Sequence, residues 1–323
     1  MGAGRLERRR WLMLAALPWL AGRAAPARAD GPAASETWPA RPVRILVAYP
    51  PGGVSDMVAR ALADRLAVQI GVPVVVENRP GGSGTLAMQA VARALPDGHT
   101  LCFAAATALA WALDAGHGGA AGERWPVAPV AGVMRTPVLI VGTRALQATT
   151  FAGMLRQGRS RAEGIRWATT GEGTTGHRVL DRVRHASGAR IVHVPYKGGG
   201  QQVNDALGGH FEVLSTNVAA PQLDAIRAGR LKPLAVGSPH RLPVLPEVPT
   251  LAELGFARAN LGSLFGLFAP LQTPAALIER INGQVNSALS EPVLRQRLLA
   301  VNNVPMEGAP AAFAEQIALE LER

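Results

Sequence analysis

Cysteine is almost absent. Of 323 residues, only Cys102 is a cysteine; no disulfide can form within the chain, and the fold has to be held by its core. It sits in Leu101-Cys102-Phe103-Ala104 and reads as a small buried hydrophobe. Aromatic residues make up 5%, and only Lys197 and Lys232 among the basic residues are lysines. The arginines are scattered rather than gathered into a basic stripe with interleaved aromatics, so nucleic acid is not an expected partner. No H-E-x-x-H pair occurs among the seven histidines, His177 and His185 lie too far apart for i, i+4 ligation, and one thiol makes no cluster; neither metal nor cofactor is expected. Gly81-Gly82-Ser83-Gly84 approaches a nucleophile elbow, but Thr85 stands where G-x-S-x-G needs glycine. Neither lysine follows the glycine of a P-loop. A hydrolase is therefore the weakest of the readings considered, and no enzymatic activity is expected.

What is present suits a globular protein. Hydrophobic residues are 48% and charged residues 17%, and the length corresponds to about two domains. Residues 1–29 read as a signal peptide. Arg5, Arg8, Arg9 and Arg10 form a basic region, Trp11 to Ala21 a short apolar one, and Ala27-Arg28-Ala29 a cleavage site before Asp30. The apolar stretch is shorter than the about 20 residues that span a bilayer. Arg8-Arg9-Arg10-Trp11-Leu12 also resembles a twin-arginine signal, and no cysteine follows the cleavage site to carry a lipid. The expected location is periplasmic. The leader carries six arginines and one glutamate, leaving 27 basic and 22 acidic residues, a net charge of +5. Such a charge favours anionic solutes, although arginine-biased coding explains it equally well.

Strand and helix patterns then alternate. Val43 to Tyr49 reads as a buried strand. Val58, Leu62, Leu66 and Ile70 mark one face of a helix that Gly71 ends. Val72 to Val76 is a strand, Ser83 to Leu95 a helix, and Thr100 to Ala104 a strand. Residues 115–126 read as a loop and Val138 to Val141 as a strand. A second set follows, with strands at Ile165 to Ala168, Ile191 to Val194, Phe211 to Leu214 and Leu234 to Val236. Helices lie near Thr175 to Ala186, Gln201 to Leu207 and Pro221 to Ala228. Beyond a Pro-rich stretch, strand Phe265 to Phe268 precedes helices at about 274–289, 292–300 and 310–322. Parallel neighbours need crossovers, so the fold class is α/β, two lobes each with a mostly parallel sheet flanked by helices.

Two glycine turns stand out. Tyr49-Pro50-Pro51-Gly52-Gly53-Val54-Ser55-Asp56 joins the first strand to its helix, and its unpaired amides suit an anion as well as they suit an ordinary βα turn. Thr169-Thr170-Gly171-Glu172-Gly173-Thr174-Thr175-Gly176-His177 matches G-x-G-x-x-G between strand and helix. The acid expected about 20 residues later is missing from Ile191-Val192-His193-Val194-Pro195-Tyr196. What remains is a turn that presents amides, with Thr169 and Thr174 as hydroxyl donors for a carboxylate.

Several ordered motifs together carry a resemblance. Arg44-Ile45-Leu46-Val47-Ala48-Tyr49-Pro50-Pro51-Gly52-Gly53, Val75-Val76-Glu77-Asn78-Arg79-Pro80-Gly81-Gly82-Ser83-Gly84 and Pro96-Asp97-Gly98-His99-Thr100-Leu101 open the series. His193-Val194-Pro195-Tyr196-Lys197-Gly198, Ala228-Gly229-Arg230-Leu231-Lys232-Pro233-Leu234 and Leu245-Pro246-Glu247-Val248-Pro249-Thr250 continue it. From about residue 38 onward the chain resembles the Bug-type substrate-binding proteins of tripartite tricarboxylate transporters. The resemblance implies a periplasmic clamshell that holds a small carboxylate, with lobe 1 at 30–142 plus 237–323 and lobe 2 at 143–236. It implies ligand contacts at Tyr49, Gly52, Gly53, Val54, Ser55 and Asp56 on one lobe. Those on the other are Thr169, Gly171, Gly173, Thr174 and Thr216, with Thr107 as a further hydroxyl; His177 is either a contact or a helix-cap and packing residue. The expected partners are transporter membrane subunits or, alternatively, a signalling sensor, and the chain is expected to be a monomer. Val54 replaces a frequent Ser or Thr, Thr216 a frequent Asp that selects ammonium-bearing ligands, and Leu264 a common Trp. Ala104-Ala105-Ala106-Thr107 is poor in hydroxyls, and residues 114–126 also depart from the pattern. A more apolar pocket follows.

Overall fold

A computed structural model describes residues 38–109 and 127–322; the leader at 1–29 and the loop expected at 115–126 lie outside the described residues. The first sheet is built on β1 (Val43–Val47), flanked in parallel by β2 (Val74–Asn78) and β3 (Thr100–Ala105). Helices α1 (Val54–Ile70) and α2 (Thr85–Ala92) make the crossovers. A residue in left-handed conformation ends α1, Gly71 at φ 72°, as the sequence indicated.

Strand β4 (Val127–Gly142) belongs to both sheets. Its first part runs antiparallel to β9 (Gly262–Pro270) as far as the Pro137–Gly262 pair. Its last residues, from Val138, run antiparallel to β7 (Val213–Asn217) and β8 (Lys232–Gly237). The sequence pattern indicated only residues 138–141 of this strand. Pro129, Gly132 and Pro137 break its alternation, and the register shifts near the first two show the ladder accommodating them.

The second sheet centres on β5 (Ile165–Thr169), parallel to β6 (Ile191–Pro195) and to β7. Around it lie α3 (Phe151–Ser160), α4 (Thr175–Ser187), α5 (Gly199–Gly208) and α6 (Ala220–Arg227). Helix α3 escaped the sequence pattern because Gly153 and Gly158 interrupt it. Thr150 caps its start through an oxygen that accepts from the Gly153 N–H at 3.1 Å.

Each sheet has its own core. The first gathers Ile45, Leu62, Phe103, Met134 and Phe268. The second sheet is covered on one face by residues such as Trp167, Val179 and Leu180, and on the other by Phe211, Leu214 and Leu223. The C-terminal helices α7 (Ala275–Ser290), α8 (Pro292–Leu299) and α9 (Pro310–Glu322) return to the first sheet. Asn282 Nδ2 donates to the Val130 carbonyl at 2.9 Å, and Phe313 packs on Phe268 at 5.5 Å between ring centres. A short β10 (Val304–Pro305) pairs with β4. The result is a two-lobed α/β protein with β4 threading both lobes. No helix among the described residues is long and apolar enough to cross a membrane.

Candidate functional site

The first wall of the site is the turn after β1. Gly52 adopts φ 80°, a left-handed conformation that favours glycine. Gly53 then precedes α1 without a side-chain cap, so the first-turn amides of Val54, Ser55 and Asp56 have no carbonyl of a preceding turn to bond. The Asp56 carboxylate holds the turn in shape. It accepts from the Gly52 N–H at 3.0 Å, from Arg60 Nε at 3.0 Å and from Asn78 Nδ2 at 2.8 Å. Asn78 Nδ2 also donates to the Tyr49 carbonyl at 3.0 Å. Burial pushes the Asp56 carboxyl up, but the hydrogen bonds from Arg60, Gly52 and Asn78 outweigh it and hold it below the usual carboxylate range. Asp56 was expected to face a ligand; its carboxylate is instead turned into the loop, because three donors from its own lobe claim it.

The turn after β5 also departs from expectation. The Gly171 N–H donates to Thr169 Oγ1 at 3.2 Å, and the Gly173 N–H to His177 Nδ1 at 3.1 Å. Thr174 Oγ1 donates to the Gly171 carbonyl at 2.7 Å. The two glycine amides expected to cradle a ligand are thus consumed within their own turn. Thr169, Gly171, Gly173 and His177 are not on the cavity wall; Thr170, Thr174, Thr175 and Gly176 are. His177 takes the packing role: its ring stacks on His193 at 4.2 Å, and His193 Nε2 lies 2.8 Å from Thr169 Oγ1.

A third turn, Lys197-Gly198-Gly199-Gly200-Gln201, lines the cavity and was missed. The signal was available, a glycine triplet between β6 and the next helix, which is the same strand–glycine–helix logic applied to the other two turns. The start of α6, with Ala219, Pro221 and Gln222, supplies a fourth segment.

These turns enclose a cavity of about 660 Å³, within the range of small-molecule sites. Of the residues singled out in the sequence, Tyr49, Gly52, Gly53, Val54, Ser55, Thr107, Thr174 and Thr216 are on its wall. Helices α1, α4, α5 and α6 all start there, each with first-turn amides free of intrahelical bonds. A helix N-terminus favours an anion by about 0.3–1 kcal/mol when exposed, and by up to about 2 kcal/mol when partly buried. Ser55, Thr107 and Thr175 are buried, at 7%, 3% and 4% exposure, and their hydroxyls have no protein partner among the described residues, so they are free to donate into the cavity.

The far wall is polar but committed. Thr216 Oγ1 accepts from Gln222 Nε2 at 3.1 Å, and Asn217 Oδ1 accepts from Ser263 Oγ at 3.0 Å. Tyr49 and Phe265 form an edge-to-face pair at 5.9 Å. The Tyr49 oxygen accepts from the Ala105 N–H at 3.3 Å, and burial pushes its phenol upward, so it stays neutral. With Val54, Val138, Ala105 and Met57 these rings give the cavity a substantial apolar surface. Leu264 is fully buried, and its neighbour Phe265 reaches the cavity instead. Among the described residues, Lys197 is the one cationic side chain on the wall, and no Asp, Glu, His or Cys lies there. The arrangement can bind an anion; it offers no acid–base pair.

Two sheets closed over a cavity lined with helix starts define a solute-binding protein of the periplasmic type. A structure of MatC from Rhodopseudomonas palustris with bound malate superposes with a TM-score of 0.80 and 27% identity, covering 88% of this chain and 98% of that one. A second R. palustris protein, solved with adipate, gives a TM-score of 0.79 and 28% identity over 89% of this chain and 96% of that one. The family model of the tripartite tricarboxylate transporter family receptor matches residues 58–322. Protein BugT of Bordetella pertussis is 33% identical over 304 residues, which are 94% of this chain and 91% of BugT. The chain belongs to this receptor family, whose members are binding proteins and not enzymes.

Proposed function

We propose that this protein is an extracytoplasmic receptor that closes on a small carboxylate-bearing metabolite and delivers it to the membrane subunits of a tripartite tricarboxylate-type transporter. Residues 1–29 serve as its export signal and are removed. The observation that carries the reading is the cavity wall, four helix starts and the buried, unpartnered hydroxyls of Ser55, Thr107 and Thr175, with no acidic side chain among the described residues there. The ligand carboxylate lies against the amides of Val54, Ser55, Thr175, Gly176, Gly199 and Gly200 and the hydroxyls of Ser55, Thr107 and Thr175. The apolar surface around Tyr49 and Phe265 carries its hydrocarbon part. Malate and adipate in the two similar structures support a carboxylate as the ligand class. Thr216, already engaged by Gln222, offers no charge to an ammonium group, so plain carboxylic acids fit better than amino acids.

The test is a melting-temperature screen on protein refolded to strip any carried ligand. Malate, adipate, benzoate and glutamate form the panel, with arginine as a cationic control. A ligand at a hundred times its Kd adds about 2.7 kcal/mol, or about 4 °C at this size. If no carboxylate moves the transition, the ligand class is wrong.

A further inference from the structure

The cavity is sealed where turns from the two lobes touch, and the seal depends on a missing side chain. Gly198 precedes α5 with φ 166° and ψ 172°, extended backbone that any residue can adopt. A Cβ placed there runs into the Pro50 ring, overlapping Cδ and coming within 2.8 Å of Cγ. Pro50 belongs to the other lobe, and the Pro50-Pro51 pair is stiff because both rings fix their φ angles. The two following glycines differ. A Cβ at Gly199 meets nothing within 4 Å, and one at Gly200 meets only the Pro51 carbonyl oxygen, at an ordinary 3.6 Å. A second contact across the lobes pairs Gly171 with Ser83, whose Oγ lies 2.7 Å from where a Cβ would sit. Gly171 has φ 130°, so any substitution there is strained whatever the space and cannot isolate the contact.

We propose that Gly198 is a positioning residue for lobe closure. Its lack of a side chain lets the Lys197–Gln201 turn seat on Pro50-Pro51, and this seating brings the start of α5 over the cavity. A single methyl at position 198 holds the lobes apart while leaving each lobe intact. The purpose of the contact rests on the binding reading above; the contact itself does not. Hinge closure of this kind needs two packed bodies and a few connecting residues, and β4 at Pro137/Val138 is one such connection.

Closure can be followed by trapping. Pro51→Cys together with Gly200→Cys gives a thiol pair across the seal; Cys102 is fully buried and does not compete. The rate of cross-linking by a short bis-maleimide is measured in buffer and with malate or adipate. Adding Gly198→Ala is expected to slow trapping by about tenfold or more, the scale of forcing a methyl into a packed contact. Adding Gly283→Ala, an open position on α7 away from the cavity wall, should leave the rate within about twofold. Pro50→Ala on the Gly198→Ala background removes the offending ring and should restore trapping, which separates a clash across the lobes from local misfolding. Trapping of the Gly198→Ala form at the parental rate, failure of Pro50→Ala to rescue it, or no trapping in the parent pair would each overturn the proposal. Trapping that depends on Gly198 in a protein that no carboxylate stabilises would reject the ligand class and leave the closure contact standing.

Discussion

Replacing Asp56 by Asn tests how the first glycine turn of the cavity is held. The substitution keeps the shape and removes the charge. If the remaining oxygen continues to accept from Arg60 and Asn78, the new amide faces the Gly52 N–H across what was a 3.0 Å hydrogen bond, a donor against a donor. Turning the amide over sacrifices the other two bonds instead. The smaller loss is one charge-assisted hydrogen bond, about 1.5–3 kcal/mol. To this is added at most about 1 kcal/mol for the ion pair with Arg60, whose side chain is 49% exposed. The expected cost is about 1.5–4 kcal/mol, a melting temperature lower by about 2–6 °C. Ligand affinity should fall by about tenfold, because ordering one loosened residue costs about 1–2 kcal/mol. The cost should also depend on pH. The folded carboxyl lies below its unfolded value, so its contribution is fully present above about pH 3.9 and is lost as pH falls through the lowered folded value. Calorimetric melts at pH 7 and pH 3, with titration of the ligand found in the screen, measure all three. A variant as stable as the parent at pH 7, or one that is destabilised yet binds equally well, refutes the account of Asp56 as the brace of the site.

Ser55→Ala and Thr175→Ala should each weaken carboxylate binding by about five- to tenfold, the worth of one hydrogen bond, with little change in the melting temperature of the free protein; equal Kd values by calorimetry would remove those hydroxyls from the site. Thr216→Asp should depress binding of plain dicarboxylates and shift preference towards amino acids, and a competition assay with unchanged ranking would place Thr216 away from the ligand. Stability should decline in mild acid through His193. Burial, aided by the neighbouring His177, lowers its pKa to about 4 from 6.5, so the neutral ring is favoured in the fold. Its contribution is present above about pH 6.5 and is lost as pH falls towards 4, by about 1–2 kcal/mol after discounting for partial exposure. Urea midpoints at pH 7, 5.5 and 4 follow this loss, and an equal slope in His193→Gln would assign it elsewhere.

Much of the architecture was legible because its signals are local. Helix α1 announced itself through Val58, Leu62, Leu66 and the terminating Gly71, and the βα alternation gave the parallel strands around β1 and around β5. Strand β4 was not legible over its first eleven residues, since its prolines and Gly132 erase the period-two pattern and only pairing with β9 makes it a strand. In the candidate site, both glycine turns were found, yet only some of the residues singled out in them line the cavity. Glycine spacing says that a turn has free amides; it does not say which of them the turn itself will use.

The sequence by itself determined where strands give way to glycine turns and helix starts, that no acid–base or metal chemistry is encoded in recognisable motifs, and that a carboxylate suits the amides on offer. The three-dimensional arrangement decided the rest. Asn78 braces Asp56 from 22 positions away, His177 closes the Gly173 amide, and Gly198 rests on Pro50 from the opposite lobe. Such pairings follow from how the sheets stack and where β4 crosses between them. A contact between residues distant in the chain is set by packing, for which local spacing carries no record.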